Sequence, residues 1–323
     1  VQALVARVFF QRDRHYVVDQ QQVVIVDEFS GRLMPDRTWR DGLQQAIEAK
    51  EGLDVRLPRE AYARISFQRF FRLYAKLGGM TGTAAETRNE LWQIYGLPVI
   101  VIPPRLPCKR TVAPVRVFSR STAKWEAILS EIQQVHKTGR PILVGTRSIA
   151  ASEHLSALLT ANGLAHVVLN AVRQESEAQI IAGAGRRGRI TVATNMAGRG
   201  TDIQLAPGVA ALGGLHVVAT ECHTARRIDR QLYGRGARQG DPGSARAFAS
   251  LDDELLWRHA TSGRLGPAPD NGDPGREITS VFARLRVVQA QRRAERVAFL
   301  GRREVLRADH WLDEHLLFAG REI

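Results

Sequence analysis

Apolar positions recur along this chain with two different periods, and the alternation between them lays out its architecture. Tyr16-Val17-Val18 and Val23-Val24-Ile25-Val26 are β-rich runs split by Asp19-Gln20-Gln21-Gln22, which predicts a hairpin. Leu43, Ala46, Ile47 and Lys50 then fall at i, i+3, i+4 and i+7, predicting a helix over 41–50 that Gly52 stops. A second helix is expected from Ser66 to Leu77, its aromatic face of Phe67, Phe70, Phe71 and Tyr74 packed into a core. Pro98-Val99-Ile100-Val101-Ile102 reads as a short strand running into Pro103-Pro104-Arg105-Leu106-Pro107, a stiff extended linker.

Beyond the linker, strand and helix periods take turns. Strands are expected at 142–145, 166–169, 190–194 and 215–219, and helices at 124–136, 149–162, 176–184 and 224–233. Pro207-Gly208 and Gly213-Gly214 bracket a surface loop. Repeated βα units of this length predict an α/β fold, a parallel sheet with helices on both faces. Residues 261–276 are rich in Gly, Pro and Asp and read as a second linker. A helical segment follows from Ile278 to Arg307, with eight arginines against two glutamates between 281 and 307. It reads as a solvated basic helix packed by Leu285, Val288 and Phe299, with an anionic membrane surface or another polyanion as the alternative contact.

The 323 residues suffice for one large or two ordinary domains, and 44% hydrophobic content is that of an ordinary globular chain. The charge balance is less ordinary. With 46 Lys and Arg against 33 Asp and Glu, the net charge of +13 attracts polyanions without choosing among them. Cys108 and Cys222 stand far apart with no C-x-x-C, so neither a zinc site nor a disulfide framework is implied. No apolar run approaches a bilayer span, and Val1-Gln2-Ala3 carries no signal-peptide pattern, so the chain is expected to be a fragment of something longer.

The chemistry concentrates in two Gly/Arg-rich runs. Thr194-Asn195-Met196-Ala197-Gly198-Arg199-Gly200-Thr201-Asp202 leaves a predicted strand, and Gln231-Leu232-Tyr233-Gly234-Arg235-Gly236-Ala237-Arg238-Gln239-Gly240-Asp241 leaves a predicted helix. As an ordered pair they look like the fifth and sixth motifs of a two-lobed, helicase-type motor. Glycines let the backbone approach a ligand, and guanidinium forks suit phosphate oxygens and the charge that develops in phosphoryl transfer. Asp202 lies beyond a strand's carboxyl end, where a carboxylate can accept from a ribose hydroxyl or hold an arginine in register. Gly79-Met80-Thr81-Gly82-Thr83-Ala84 has the position of the third motif, which couples the lobes. No G-x-x-x-x-G-K-[ST] loop occurs in the chain. Without one, Asp27-Glu28 is assigned a structural role, as is His223.

These residues resemble one family closely: SecA, the bacterial motor ATPase that drives preproteins through the SecY channel. The likeness is carried by Val24 to Arg32 with Trp39 to Gly52, by Gly79 to Ala84, by Asn195 to Asp202, and by Gly213 through Asp241. The first of these, Val24 to Arg32 with Trp39 to Gly52, is the most diagnostic, since generic helicases lack it. The resemblance covers about residues 1–300. It implies that 1–22 end a preprotein-crosslinking insertion and that 23–105 are the last part of a first nucleotide-binding domain. Residues 112–258 would be a complete second RecA-like domain of P-loop NTPase type, and 259–323 a linker with part of a helical scaffold. By position, Asp202, Arg199 and Gly200 would meet ATP, Arg235 and Arg238 would be arginine fingers, and Gln231 would help align them. Thr81, Gly82 and Thr83 would couple the lobes. The departures include a short Ile203–Leu212 connection, Glu221-Cys222-His223 in place of Glu-Arg-His, and a poorly matching Val305–Ile323.

The resemblance further implies ATP with Mg, the metal ligands lying in a P-loop lobe supplied by upstream sequence or a separate chain. Partners would be a SecY-type channel, a preprotein and an anionic membrane surface, with the protein cytoplasmic and peripheral on the bacterial inner membrane. Nucleic acid is disfavoured. Two other readings stand beside it: a nucleic-acid helicase or translocase, and a SecA-like interaction module without turnover. Lacking a phosphate cradle, this chain alone is expected to hydrolyse ATP negligibly.

Overall fold

The computed structural model describes residues 1–12, 15–26, 33–57, 65–169, 179–194, 201–260 and 277–315. Asp27-Glu28, Arg199, Gly200, the expected linker at 261–276 and the last eight residues lie outside this set. The chain forms two compact units, residues 1–62 with 129–218, and 63–128 with 219–323.

In the first unit, β1 (Tyr16–Asp19) and β2 (Gln22–Val26) form the expected antiparallel hairpin, Tyr16 opposite Ile25, and β3 (Leu33–Met34) adds to β2. Its two-residue turn holds Gln20 and Gln21 at φ 45° and 61°, the left-handed geometry that matches strand twist. Helices α1 (Gln2–Phe9) and α2 (Leu43–Lys50) cover the hairpin with a core of Ala6, Tyr16, Val23 and Ile47. Lys50 reaches back to the Phe10 carbonyl at 2.6 Å, capping the end of α1, and Tyr16 donates to Glu51 Oε1 at 2.6 Å.

The same unit holds four parallel strands, β6 (Ile142–Thr146), β7 (His166–Leu169), β8 (Ile190–Thr194) and β9 (Leu215–Ala219), in the order β9-β6-β8-β7. The register sets Ile142 against Ile190 and Thr146 against Thr194, so the carboxyl ends of β6 and β8 are level. Every residue of β6, β8 and β9 is buried, as a sheet covered on both faces demands. Between β6 and β7 runs α6 (Ile149–Ala161), whose N-cap Ser148 accepts the Ala151 N–H, with Leu155 and Leu159 inside. Arg140 holds the Gly213 and Gly214 carbonyls at 2.9 and 3.0 Å, pinning the loop before β9.

In the second unit, the nine-residue β10 (Pro242–Ser250) carries two short parallel strands, β4 (Lys109–Val112) and β5 (Arg116–Phe118), one after the other along its length. The sequence reading missed β10 because Pro-Gly-Ser-Ala-Arg-Ala-Phe-Ala-Ser has no β-branched residue. Its burial, with Phe248 and Ser250 wholly covered, substitutes for propensity. The helices of this unit are α3 (Phe67–Arg72), α4 (Arg88–Tyr95), α7 (Arg226–Tyr233), α8 (Glu254–His259) and α9 (Val281–His315), with α5 (Ser121–Lys137) shared between the units along the chain.

Three sequence expectations are corrected. The aromatic face of α3 is not core: Phe67 is 75% exposed and Tyr74 54%, and the rings of Phe70, Phe71 and Tyr74 pack mainly on one another. The run at 98–102 is not a strand, and Ile100 and Ile102 are about four-fifths exposed. The long helix is packed by small residues rather than by Leu285, which is exposed. Ala283, Val287, Ala290 and Ala294 form its buried face, since a stripe of small side chains lets a helix approach its neighbours closely. Apart from these, the structure is of the predicted α/β class, a parallel sheet with flanking helices and a C-terminal helical segment.

Candidate functional site: an arginine turn on a clamped helix

Asp202 belongs to the first unit, half-buried eight residues beyond the end of β8, next to the buried Ile203. Arg199 and Gly200 precede it outside the described residues.

Arg235 and Arg238 belong to the second unit, on the turn that leaves α7. That turn is tightly wound. Ala237, Gln239 and Gly240 all have left-handed φ, at 55°, 53° and 87°, which costs a residue with a Cβ about 1 kcal/mol. Backbone hydrogen bonds run from Arg235 N to Leu232 O at 3.0 Å and from Asp241 N to Arg238 O at 2.9 Å. Arg238 also bonds its own turn, Nε donating to Gly234 O at 2.9 Å. From β4, Arg110 caps the helix end through Nη1, donating to Tyr233 O at 3.2 Å and Gly236 O at 3.3 Å. Both arginines therefore stand on a turn braced from outside.

One flank of α7 meets the predicted coupling turn. Gln231 Nε2 donates to Thr83 Oγ1 at 3.1 Å, and Thr81 Oγ1 accepts the Thr83 N–H at 3.3 Å. Arg230 pairs with Glu86 at 3.0 Å. The structure thus brings together Thr81, Thr83 and Gln231, three of the residues picked from sequence. Gly82 lies between the threonines with open space where a Cβ would stand.

The opposite flank was not foreseen. His223, Asp229 and Gln291 are each at most 6% exposed and bonded to one another, joining α7 to α9. His223, expected to be a lone structural histidine, is buried and bonded to partners on α7 and α9. Gln291 carries no sequence signal, since a glutamine in an arginine-rich helix reads as solvated. Beside it, burial pushes the Cys222 thiol well above its ordinary range, with the Asp229 and Asp253 carboxylates adding to the effect. The Tyr233 phenol is raised too, first by burial and then by Asp229 and Cys222. Cys222 is accordingly an inert core thiol. A buried ion pair supports the same end of the unit: Lys124 Nζ lies 2.5 Å from Asp253 Oδ1 and 3.9 Å from Glu221. Asp253 also accepts the Ser250 N–H and hydroxyl at 2.8 and 2.6 Å.

Guanidinium forks are a donor type suited to phosphate oxygens. For a metal, the described residues offer no group of three or more His, Cys, Asp or Glu side chains. Among the described residues no helix is long and apolar enough to cross a membrane.

The SecA P-loop domain model matches residues 107–209 and 206–265, and the SecA preprotein cross-linking domain model matches residues 1–48. The chain is 49% identical to a protein translocase subunit SecA 2 of Nitrosospira multiformis, over 99% of this chain and 48% of the relative. It is 48% identical to a SecA 2 of Chlorobium chlorochromatii over 98% of this chain and 48% of the relative. With a SecA of Solidesulfovibrio magneticus it shares 49% identity over 97% of this chain and 38% of the relative. The chain therefore spans less than half the length of these relatives. A solved E. coli DEAD-box protein, SrmB, aligns over 48% of this chain and 83% of that one, at 20% identity and a TM-score of 0.35. With both SecA domain models matched in order and near-half identity along almost its whole length, this chain belongs to the SecA family.

Proposed function

We propose that this chain is the arginine-bearing part of an ATP-driven protein-translocation motor. The observation that carries the reading is the helix α7. It ends in the braced turn of Arg235 and Arg238 and is bonded through Gln231 to the Thr81–Thr83 turn at 3.1 Å. In this reading ATP, when bound with Mg by a P-loop lobe, supplies the phosphoryl group. Asp202, Arg199 and Gly200 contact the nucleotide, and Arg235 and Arg238 neutralise charge building on the transferring phosphate. Gln231 reports the state of that turn to Thr81, Gly82 and Thr83, so that nucleotide state and lobe coupling share one helix.

The domain reading follows the same line: 1–22 end the preprotein-crosslinking insertion, 23–105 complete the first nucleotide-binding domain, 112–258 are the second, and 259–323 open the helical scaffold. The exposed apolar run at 100–102 and the uncovered α3 aromatics support a missing lobe, because surfaces of that kind mark interaction sites. The work would be movement of a preprotein through a SecY-type channel, at the cytoplasmic face of an anionic inner membrane.

The test is steady-state ATPase activity of the chain alone and mixed with a P-loop-bearing first lobe. Turnover in the mixture only, abolished by Arg235→Ala, is the expected result. Turnover by the chain alone would overturn the site assignment. Silence in both would favour a SecA-like interaction module. Steeply salt-dependent binding to single-stranded nucleic acid would instead favour a helicase.

A further inference from the structure

The helix that presents the arginines cannot cap its own beginning. Its N-cap residue is Ala225, which has no side-chain acceptor for the first unpaired N–H groups. The acceptor comes from α9: Glu295 Oε1 takes the Arg226 N–H at 2.8 Å. One turn further along α7, Asp229 points inward with only 5% exposure and needs donors for both carboxylate oxygens. Oδ1 accepts the His223 N–H at 3.0 Å and His223 Nδ1 at 2.5 Å. Since a carboxylate only accepts, Nδ1 carries the proton. Oδ2 accepts Gln291 Nε2 of α9 at 2.6 Å, and the same amide donates to His223 O at 2.9 Å. One side-chain amide thus uses its two hydrogens on two elements of the arginine segment. An arginine or lysine there would bring a full charge into a buried site. An aliphatic side chain would leave Oδ2 without this donor.

α9 is itself tied down beyond this contact. Arg302 Nη2 pairs with Glu90 of α4 at 2.9 Å, and Asp309 accepts the hydroxyl of Ser66, the N-cap of α3. α7 is therefore held between two independent sets of bonds, Thr83 and Glu86 on one flank and Gln291 and Glu295 on the other. Asp229 lies four residues before Tyr233, the last residue of α7, a rise of about 6 Å, and Arg235 follows two residues later. A roll of α7 at Asp229 is carried directly into the turn that follows.

We infer that Gln291 is a positioning residue for the arginine turn: through Asp229 and His223 it sets the orientation of α7, and so makes the long helix α9 part of the site that places Arg235 and Arg238. The inference rests on the reading of those arginines as phosphate contacts, and it assigns the coupling to one donor pair rather than to packing.

The experiment has two readouts. In the 323-residue chain, hydrogen exchange is followed at the amides of Gly234, Arg235, Gly236 and Asp241, all internally bonded in the structure. Gln291→Leu and Gln291→Met keep the side chain close to its size and remove both donors. Exchange at these four amides should rise about tenfold or more in both, with β6 and β8 unchanged. Wild-type exchange in both variants overturns the inference. Should a single variant fail to fold, Asp229→Asn with Gln291→Glu exchanges donor and acceptor between the two side chains and leaves only the bond to His223 O unmade. Partial or full protection of the turn then supports the inference, and a folded double variant whose turn is wholly unprotected overturns it. In the mixture with a P-loop lobe, Gln291→Leu should lower kcat about tenfold and leave KM for ATP within about twofold, the split expected when transition-state contacts are misplaced. Arg235→Ala separates the two levels. If it abolishes turnover while Gln291→Leu matches wild type in both readouts, the inference falls and the functional reading stands. If Arg235→Ala has no effect, the functional reading falls and the exchange data alone decide the coupling.

Discussion

Gln231 donates to the Thr83 hydroxyl at 3.1 Å across 148 residues of sequence, joining the helix that carries the arginines to the short turn read as a coupling element. Thr83 is buried and Gln231 half-buried, so the bond is partly shielded from water. Replacing Gln231 and Thr83 by Ala, singly and together, should give a coupling energy of about 0.5–1.5 kcal/mol in a double-mutant cycle on urea unfolding. Gly82→Ala should change stability by less than about 0.5 kcal/mol, because nothing lies within 4 Å of the added Cβ and the backbone there is not left-handed. A coupling near zero would mean the contact is incidental.

Lys124 and Asp253 are a buried ion pair, both under 10% exposed, with Asp253 also holding Ser250. Lys124→Met should cost about 3–5 kcal/mol, since it leaves a carboxylate buried beside Glu221 without its cation. Adding Asp253→Asn should recover part of that loss. Urea midpoints of the three proteins check it, and a single variant as stable as wild type would show the charges reach water.

Alkaline pH should destabilise this protein. Cys222 and Tyr233 both have folded values raised above their ordinary 9.0 and 10.0, mainly by burial. The unfolded chain therefore loses these protons first. Their stabilising contribution is complete below pH 9 and is lost as pH rises toward the folded values, at about 1.4 kcal/mol per pH unit for each group. Unfolding free energy measured from pH 8 to 10.5 should fall more steeply in wild type than in Cys222→Ala. In the folded state a thiol reagent should modify the exposed Cys108 and spare Cys222.

The aromatic surface of α3 should matter for association and not for the fold of this chain. Phe67 is 75% exposed, so Phe67→Ser should shift stability by no more than about 0.5 kcal/mol. Titration calorimetry with a P-loop-bearing lobe should show binding weakened about tenfold. A large loss of stability in the isolated chain would instead mean that the face is covered.

Most strands and helices around the site were legible because they repeat a clear period: β8 and β9 have the predicted bounds, and α6 ends where Gly163 turns left-handed at φ 68°. β10 was not legible, because its small residues earn their place through burial alone. In the second unit, the arginine turn, Gln231 and the two threonines were chosen from residue type and order. Arg110, Asp229, Gln291 and Glu295 were invisible, each lying in a segment whose local pattern suggests an ordinary exposed polar residue.

Local pattern determined the α/β class and the succession of βα units, since periodicity and turn chemistry act over a few residues. Only the tertiary structure decided which polar side chains are buried and what they bond, because a hydrogen bond such as Gln291 to Asp229 closes across 62 residues and leaves no trace in either neighbourhood. It also decided that the α3 aromatics lie outside: burial depends on what packs against a face, and an aromatic stripe on one helix does not name its partner.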